Sequence, residues 1–273
     1  MPRRAFTLVE LLVVISIIGL LSTIAIVNLS SSRAKAKIAA GQHFSSSINN
    51  LISDQLVGEW LFNGSAADTS GKGNNGTLVG GPVAGSGYDG GGAYVLDGSS
   101  QYINVPSIPG SIFTNTSFTW SAWVKGSTNG VTNYMPTIGF ASGSWFRLGF
   151  RQIAGVWEFD QILDGTHSNT IKCGPAVSST EWVFLAVSAQ YGGNVSCYQN
   201  GTLGGASAYV NDVTSGAPFG MGHCVGDAWA SYIQGTIDDV RLYSTAATAM
   251  TVQKYFAEGL TSHPQSLAVI TTP

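Results

Sequence analysis

Three groups of residues in this chain are of types that do chemistry. The first is a single carboxylate, Glu10, the only charged side chain in the 24-residue run Phe6–Leu29. An unpaired acid in hydrocarbon costs roughly 2–3 kcal/mol or more, so Glu10 needs a cationic partner. The second is Glu158 with Asp160, which fall on one face of the segment VWEFDQI (156–162) if that segment is extended. Glycoside hydrolysis uses two carboxyl groups that flank the scissile bond, one of them protonated. The third is a set of cysteines and histidines: Cys173, Cys197 and Cys224, with His43, His167, His223 and His263. Their scattered positions contain no zinc-ligand spacing. Patterns for a serine nucleophile elbow, a zinc protease helix or a phosphate-binding loop do not occur.

The element that must position Glu10 is the run itself. At ~1.5 Å per residue it forms a helix of roughly 36 Å, long enough to cross a hydrocarbon core with some tilt. A secretory signal core, about 7–15 residues, is shorter. Gly19 and the hydroxyls of Ser16, Ser22 and Thr23 suit close packing between helices. Arg3 and Arg4 before the run are balanced by Arg33, Lys35 and Lys37 after it, so flanking charge does not set orientation.

Arg3-Arg4-Ala5 followed by Phe6-Thr7-Leu8-Val9-Glu10 resembles the start of a type IV prepilin or pseudopilin. The resemblance implies cleavage by a prepilin peptidase between Ala5 and Phe6, and methylation of the new Phe6 amine. It also implies that Glu10 pairs with the Phe6 amine of a neighbouring subunit, which would neutralise the acid within an apolar bundle. Ala5 stands where the family usually has Gly, and Val27 where many members have Pro.

Beyond the run, Ile38, Phe44, Ile48, Leu51, Ile52 and Leu56 recur at helical spacing and predict an amphipathic continuation. From Val57 the period changes to 2. Segments 59–62, 93–97, 101–105, 118–124, 145–150, 156–162, 182–189, 195–199 and 236–243 read as strands, with Asn200-Gly201 as a hairpin turn. In FTWSAWV, Phe118, Trp120, Ala122 and Val124 share one face and Thr119, Ser121 and Trp123 the other. Thr245–Glu258 is a helix candidate with Thr248 as cap and Gly259 as the residue just past its end. The tail 260–273 has no pattern. After residue 40 there are 7 Lys/Arg against 14 Asp/Glu, a net charge of 7 − 14 = −7, which argues against nucleic-acid binding by this part. Outside the cytoplasm, three cysteines imply one disulfide and one thiol, and the sequence does not choose the pair.

Segments 57–62, 68–78, 94–98, 118–124, 181–182, 198–201 and 235–243, in that order, resemble the laminin-G-like branch of the concanavalin A-like lectin/glucanase fold. That resemblance implies a jelly roll of two curved antiparallel sheets, a fold that hosts binding modules and glycosidases alike. Glucanases of the fold carry E-x-D-x-x-E; here Glu158 and Asp160 are followed by Leu163 where the second Glu would stand. A solvent-facing polar pair is then the expected state of Glu158 and Asp160. Relatives often bind calcium near such a Gly-rich loop and an Asp-Asp strand, so the resemblance makes Asp68, Asn74, Asp238 and Asp239 candidate calcium ligands. Trp145, Trp157 and Trp229 are candidate stacking platforms for sugar, with core packing as their ordinary role.

The expectation is an α+β chain, a long pilin-type helix followed by an antiparallel β-sandwich. Its parts are a leader (1–5), the membrane and assembly helix with its extension (6–56), the sandwich (57–259) and a tail (260–273). The expected function is a filament subunit, in a homopolymer or mixed pilus, whose head binds glycan or protein at the cell surface. The alternatives are a pseudopilin of a secretion or DNA-uptake machine and a surface-tethered glycosidase. The expected partners are other subunits, the prepilin peptidase and inner-membrane assembly machinery. The expected location is the inner membrane before assembly and an extracellular filament after it.

Overall fold

A computed structural model of the chain describes residues 8–18, 55–88, 90–113, 115–129, 137–142, 146–162, 168–209, 217–225 and 232–262. The chain divides into two compact units, residues 1–54 and 55–273. In the first unit the described residues 8–18 form a helix, α1, within which every residue is exposed. Ser16 Oγ there donates to the carbonyl of Leu12, 2.8 Å away. Among the described residues no helix is long and apolar enough to cross a membrane; the expected span 6–29 and its extension lie mostly outside them.

The second unit is a sandwich with fifteen strands among its described residues. One sheet has eight strands, ordered β13 (Thr202–Ala208), β12 (Asn194–Gln199), β11 (Val183–Ala189), β6 (Phe118–Asn129), β15 (Tyr232–Tyr243), β4 (Gly92–Asp97) and β3 (Val83–Ser86), with β1 (Leu56–Trp60) also on β15. The other has seven, ordered β10 (Ser168–Lys172), β9 (Val156–Ile162), β8 (Phe146–Ile153), β7 (Ile138–Ser142), β14 (Pro218–Met221), β5 (Tyr102–Pro109) and β2 (Thr77–Val79). All recorded pairings are antiparallel, as expected of a jelly roll.

Alternation along β6 explains the core. Phe118, Trp120, Ala122 and Val124 point between the sheets and join Phe140, Phe150, Phe159 and Phe219 in one apolar cluster. On the opposite face of β6, Thr119, Ser121 and Trp123 are buried as well. Thr119 Oγ1 donates to the Thr245 carbonyl (2.7 Å) and accepts from Ala247 N (2.8 Å), while Ser188 Oγ donates to the Ala247 carbonyl (2.7 Å). These hydroxyls clamp the segment that leads into helix α2 (Ala249–Ser262) across the outside of the eight-stranded sheet. Thr248 caps α2 as expected, accepting from Thr251 N at 3.2 Å.

The helix begins later and ends later than the sequence pattern predicts, and Gly259 lies inside it rather than beyond it. The reason is packing: a Cβ on Gly259 would come within 2.8 Å of Trp123 Nε1. Here glycine lets the helix approach the sheet. Trp123 is thereby enclosed by Tyr88, Phe184 and Phe256, with ring centroids 3.7, 5.3 and 5.7 Å away.

Strands β2, β3, β7, β10, β13 and β14 have no counterpart among the strands read from sequence. Most are short, and β13 (TLGGASA) lacks any apolar alternation. Cys173 and Cys197 form the disulfide, joining the end of β10 to β12 across the two sheets, while Cys224 is a buried thiol. Closing a loop of this length is worth about 3 kcal/mol.

Candidate ligand-binding site

The residues singled out from sequence do not converge on one centre. Asp68 sits in the loop after β1, and its carboxylate accepts backbone N–H groups from Glu59 (3.1 Å), Ser70 (2.9 Å) and Asn74 (2.8 Å). Burial works against ionisation here, but these hydrogen bonds outweigh it and hold the Asp68 carboxyl below its usual value. The Asn74 amide donates to the Val57 carbonyl at 2.7 Å. Asp238 accepts from Tyr88 N (3.0 Å) and Asp239 N (2.8 Å). Asp239 has a left-handed backbone, φ 45°, at the bulge where β15 changes partner from β4 to β1. Its carboxylate lies 3.1 Å from Arg241, an ion pair rather than an aligned hydrogen bond. Among the described residues no group of three acidic, His or Cys side chains could hold a metal. The carboxylates of Asp68 and Asp238 accept backbone N–H groups and that of Asp239 faces a guanidinium, so each is already engaged within the protein.

Glu158 and Asp160 are not solvent-facing, contrary to expectation: they are 8% and 0% exposed. They lie on the face of the seven-stranded sheet opposite the core. Register places Glu158 beside Arg151, whose Nε and Nη2 donate to Glu158 Oε2 at 3.1 and 2.9 Å. Arg151 Nη1 is 3.0 Å from Asp160 Oδ2, and Thr170 Oγ1 donates to Asp160 Oδ1 at 2.9 Å. Both carboxylates are thus engaged by one guanidinium.

Trp157 takes its ordinary role: it is 1% exposed and belongs to the core, so its ring is not open to a sugar. Trp145, Trp229, Ala5, Phe6 and Leu163 lie outside the described residues. Glu10 lies in α1 and is exposed.

A different place on the head has the shape of a site. On the outer face of the eight-stranded sheet, β6 and β15 pair Lys125 with Thr236, Gly126 with Gly235 and Ser127 with Gln234. Ser179 and Thr180, from the loop before β11, complete a cleft of about 390 Å³. Its floor is bare backbone, because a Cβ on Gly126 would strike the Gln234 carbonyl and one on Gly235 the Lys125 carbonyl. From beneath, the Gln152 amide of the other sheet donates to the Gly126 carbonyl at 3.3 Å, which ties the floor to the core.

Lys125 is the one charged residue among those lining the cleft. Its ammonium lies 5.0 Å from the ring centroid of Trp182, over the aromatic face. Trp182 is half-buried and meets Tyr88 edge-on at 6.0 Å, and Tyr88 stacks on Trp123. An ammonium, an amide and four hydroxyls thus line a volume typical of small-ligand sites, roughly 300–1,000 Å³, with the Trp182 indole behind the ammonium rather than in the lining. Outward alternation in FTWSAWVK marks Lys125 in the sequence, but nothing in sequence joins it to Trp182, 57 positions on.

Comparison with known proteins fits this architecture. A family model described as the concanavalin A-like lectin/glucanases superfamily matches residues 97–253, and one described as the prokaryotic N-terminal methylation motif matches residues 1–26. No curated protein sequence matches the chain. Among solved structures it is similar to domain 4 of AbnA, a GH43 extracellular arabinanase from Geobacillus stearothermophilus, solved in complex with arabinotriose. The TM-score is 0.62 at 23% identity, covering 73% of this chain and 97% of that one. It is similar also to the binding domain of botulinum neurotoxin DC in complex with SialylT (TM-score 0.58, 13% identity, 76% of this chain and 52% of that one). A third is the binding domain of Paraclostridial Mosquitocidal Protein 1 (TM-score 0.57, 15% identity, 76% and 53%). The chain spans about half the length of these two toxin domains. At such identities the likeness is one of fold. The methylation motif implies prepilin-type processing, with membrane anchoring followed by incorporation into a surface filament. Matched over more than half of its length, the chain belongs to the concanavalin A-like lectin/glucanases superfamily, with a prokaryotic N-terminal methylation motif ahead of the sandwich.

Proposed function

We propose that the chain is a type IV pilin-like filament subunit whose head binds carbohydrate at the Lys125–Trp182 cleft and does not hydrolyse it. The observation that carries this reading is the cleft itself. It offers hydroxyl and amide groups that can meet sugar hydroxyls, and a partly open indole beside them. Relatives in fold solved with arabinotriose or SialylT support a carbohydrate ligand for this head. The described residues lining the cleft include no carboxylate that could act as acid or nucleophile, which supports binding without turnover. Calcium has no part in the reading.

The filament half rests on the N-terminal motif. Cleavage between Ala5 and Phe6 removes Arg3 and Arg4 and leaves an amine that Glu10 of a neighbour can neutralise. The same subunit then displays the head at the cell surface, where it serves adhesion.

The full chain in detergent micelles should bind members of a neutral and acidic oligosaccharide panel without releasing reducing ends. Trp182→Ala should weaken binding at least tenfold with melting unchanged. Binding that survives Trp182→Ala would place the site elsewhere, and release of reducing ends would establish an enzyme. Glu10→Val chains should insert in the membrane and fold their heads, yet be excluded from filaments in competition with unaltered chains.

A further inference from the structure

We infer that the cleft selects sugars bearing a carboxylate, such as a sialic or uronic acid residue, and that Lys125 is the group that reads the acid. This rests on the proposed carbohydrate site and specifies its ligand class.

The charge arrangement is the reason. The head has twice as many acidic as basic residues, 14 against 7 after residue 40. Among the described residues, three of those seven cations are held in ion pairs. Arg151 pairs with Glu158 and Asp160, Arg241 with Glu59 and Asp239, and Lys254 with Glu258. Lys125 ion-pairs with no carboxylate among the described residues, and its recorded contact is the face of Trp182. An aromatic face attracts an ammonium but leaves its N–H donors free for an oxygen acceptor.

The acids nearest in register do not compete for it. Asp97, opposite Gln234, accepts from the N–H groups of Ser99, Ser100 and Gln101 and from the Ser100 hydroxyl. Asp238, opposite Trp123, is held by Tyr88 N and Asp239 N. Glu181 is exposed and does not line the cleft.

One ammonium among neutral donors and acceptors matches one negative charge on an otherwise neutral ring. Phosphorylated ligands are usually met by several cations or by a Gly-rich helix start, and this cleft has neither. The net negative head repels polyanions such as nucleic acids at longer range. A short acidic glycan avoids most of that cost.

The test uses matched probes. The full chain in detergent micelles is titrated with sialyllactose against lactose, and with digalacturonate against its dimethyl ester, at low and high salt. We expect at least one acidic member to bind ten times or more tightly than its neutral counterpart, with the difference shrinking as salt rises. The two pairs distinguish a sialylated from a uronate source. Lys125→Gln should abolish the preference, while Lys72→Gln, which removes the same charge from the Asp68 loop, should retain it. Equal binding of acidic and neutral members overturns the inference and leaves the carbohydrate site standing. A preference that survives Lys125→Gln overturns the assignment to Lys125. Absence of binding to all four probes overturns it as well; if the wider oligosaccharide panel also stays unbound, the carbohydrate reading falls too.

Discussion

Arg241 donates from Nε to Glu59 at 2.9 Å and lies 3.1 Å from Asp239, so that one guanidinium joins β1 to the bulge of β15. Among the described residues β1 is the first strand of the head, and its pairing with the sheet is through β15. Burial alone would disfavour the charge on Arg241, but the carboxylates of Asp239 and Glu59 hold its pKa above the usual value. The Arg241 side chain is 20% exposed, which places this network between surface and buried ion pairs.

Arg241→Met should therefore cost about 2 kcal/mol of head stability, measured by urea unfolding of the full chain in micelles. Glu59→Gln should cost less, because Asp239 still faces the cation. Equal losses for the two would show that Asp239 contributes nothing.

Asp68→Ala should lower stability by about 1–2 kcal/mol, because three backbone N–H groups lose their acceptor. The loss should be the same in millimolar calcium and in chelator. A depressed folded-state pKa means that this contribution is present above the unfolded value, near pH 4, and disappears as pH falls through the folded value. A melting temperature that rises with calcium only when Asp68 is intact would restore the metal site.

Tyr243 and Tyr255 stack with centroids 5.0 Å apart where β15 meets α2. Burial pushes Tyr243 up strongly, and it also pushes the Tyr255 phenol up to about 12. In the unfolded chain a phenol titrates near 10, about two units lower. Stability from Tyr255 is then complete below pH 10 and is lost as pH rises through about 12, up to about 2 kcal/mol. Melting curves from pH 9 to 11.5 should decline, and Tyr255→Phe should make the decline shallower.

Gly259→Ala should destabilise the head even though alanine favours helix by about 1 kcal/mol. The added methyl would meet the buried ring of Trp123 at 2.8 to 3.2 Å, and the ring is held by three aromatic neighbours. Overpacking of that kind costs about 1–3 kcal/mol. A raised melting temperature would mean that α2 shifts freely on the sheet.

Periodicity made much of this protein legible. Alternation in FTWSAWV sorted Phe118, Trp120, Ala122 and Val124 from Thr119, Ser121 and Trp123, since a strand side chain can face only one of two ways. Asn200-Gly201 marked its hairpin because both residues take positive φ, 50° and 74°. The N-terminal motif is a contiguous string of residues, so it too needs no fold to be read.

Tertiary structure decided what depends on residues far apart in the chain. Pairing of Cys173 with Cys197 required β10 and β12 to meet across the sandwich. The Glu158 and Asp160 pair looked solvent-facing because its partner, Arg151, lies on the preceding strand, where only register brings them together. Gly259 read as a helix end because glycine usually disfavours helix; its closeness to Trp123 reverses that local preference. Lys125 and Trp182 form a site only because β6, β15 and the loop before β11 meet on one face, and no local pattern records such a meeting.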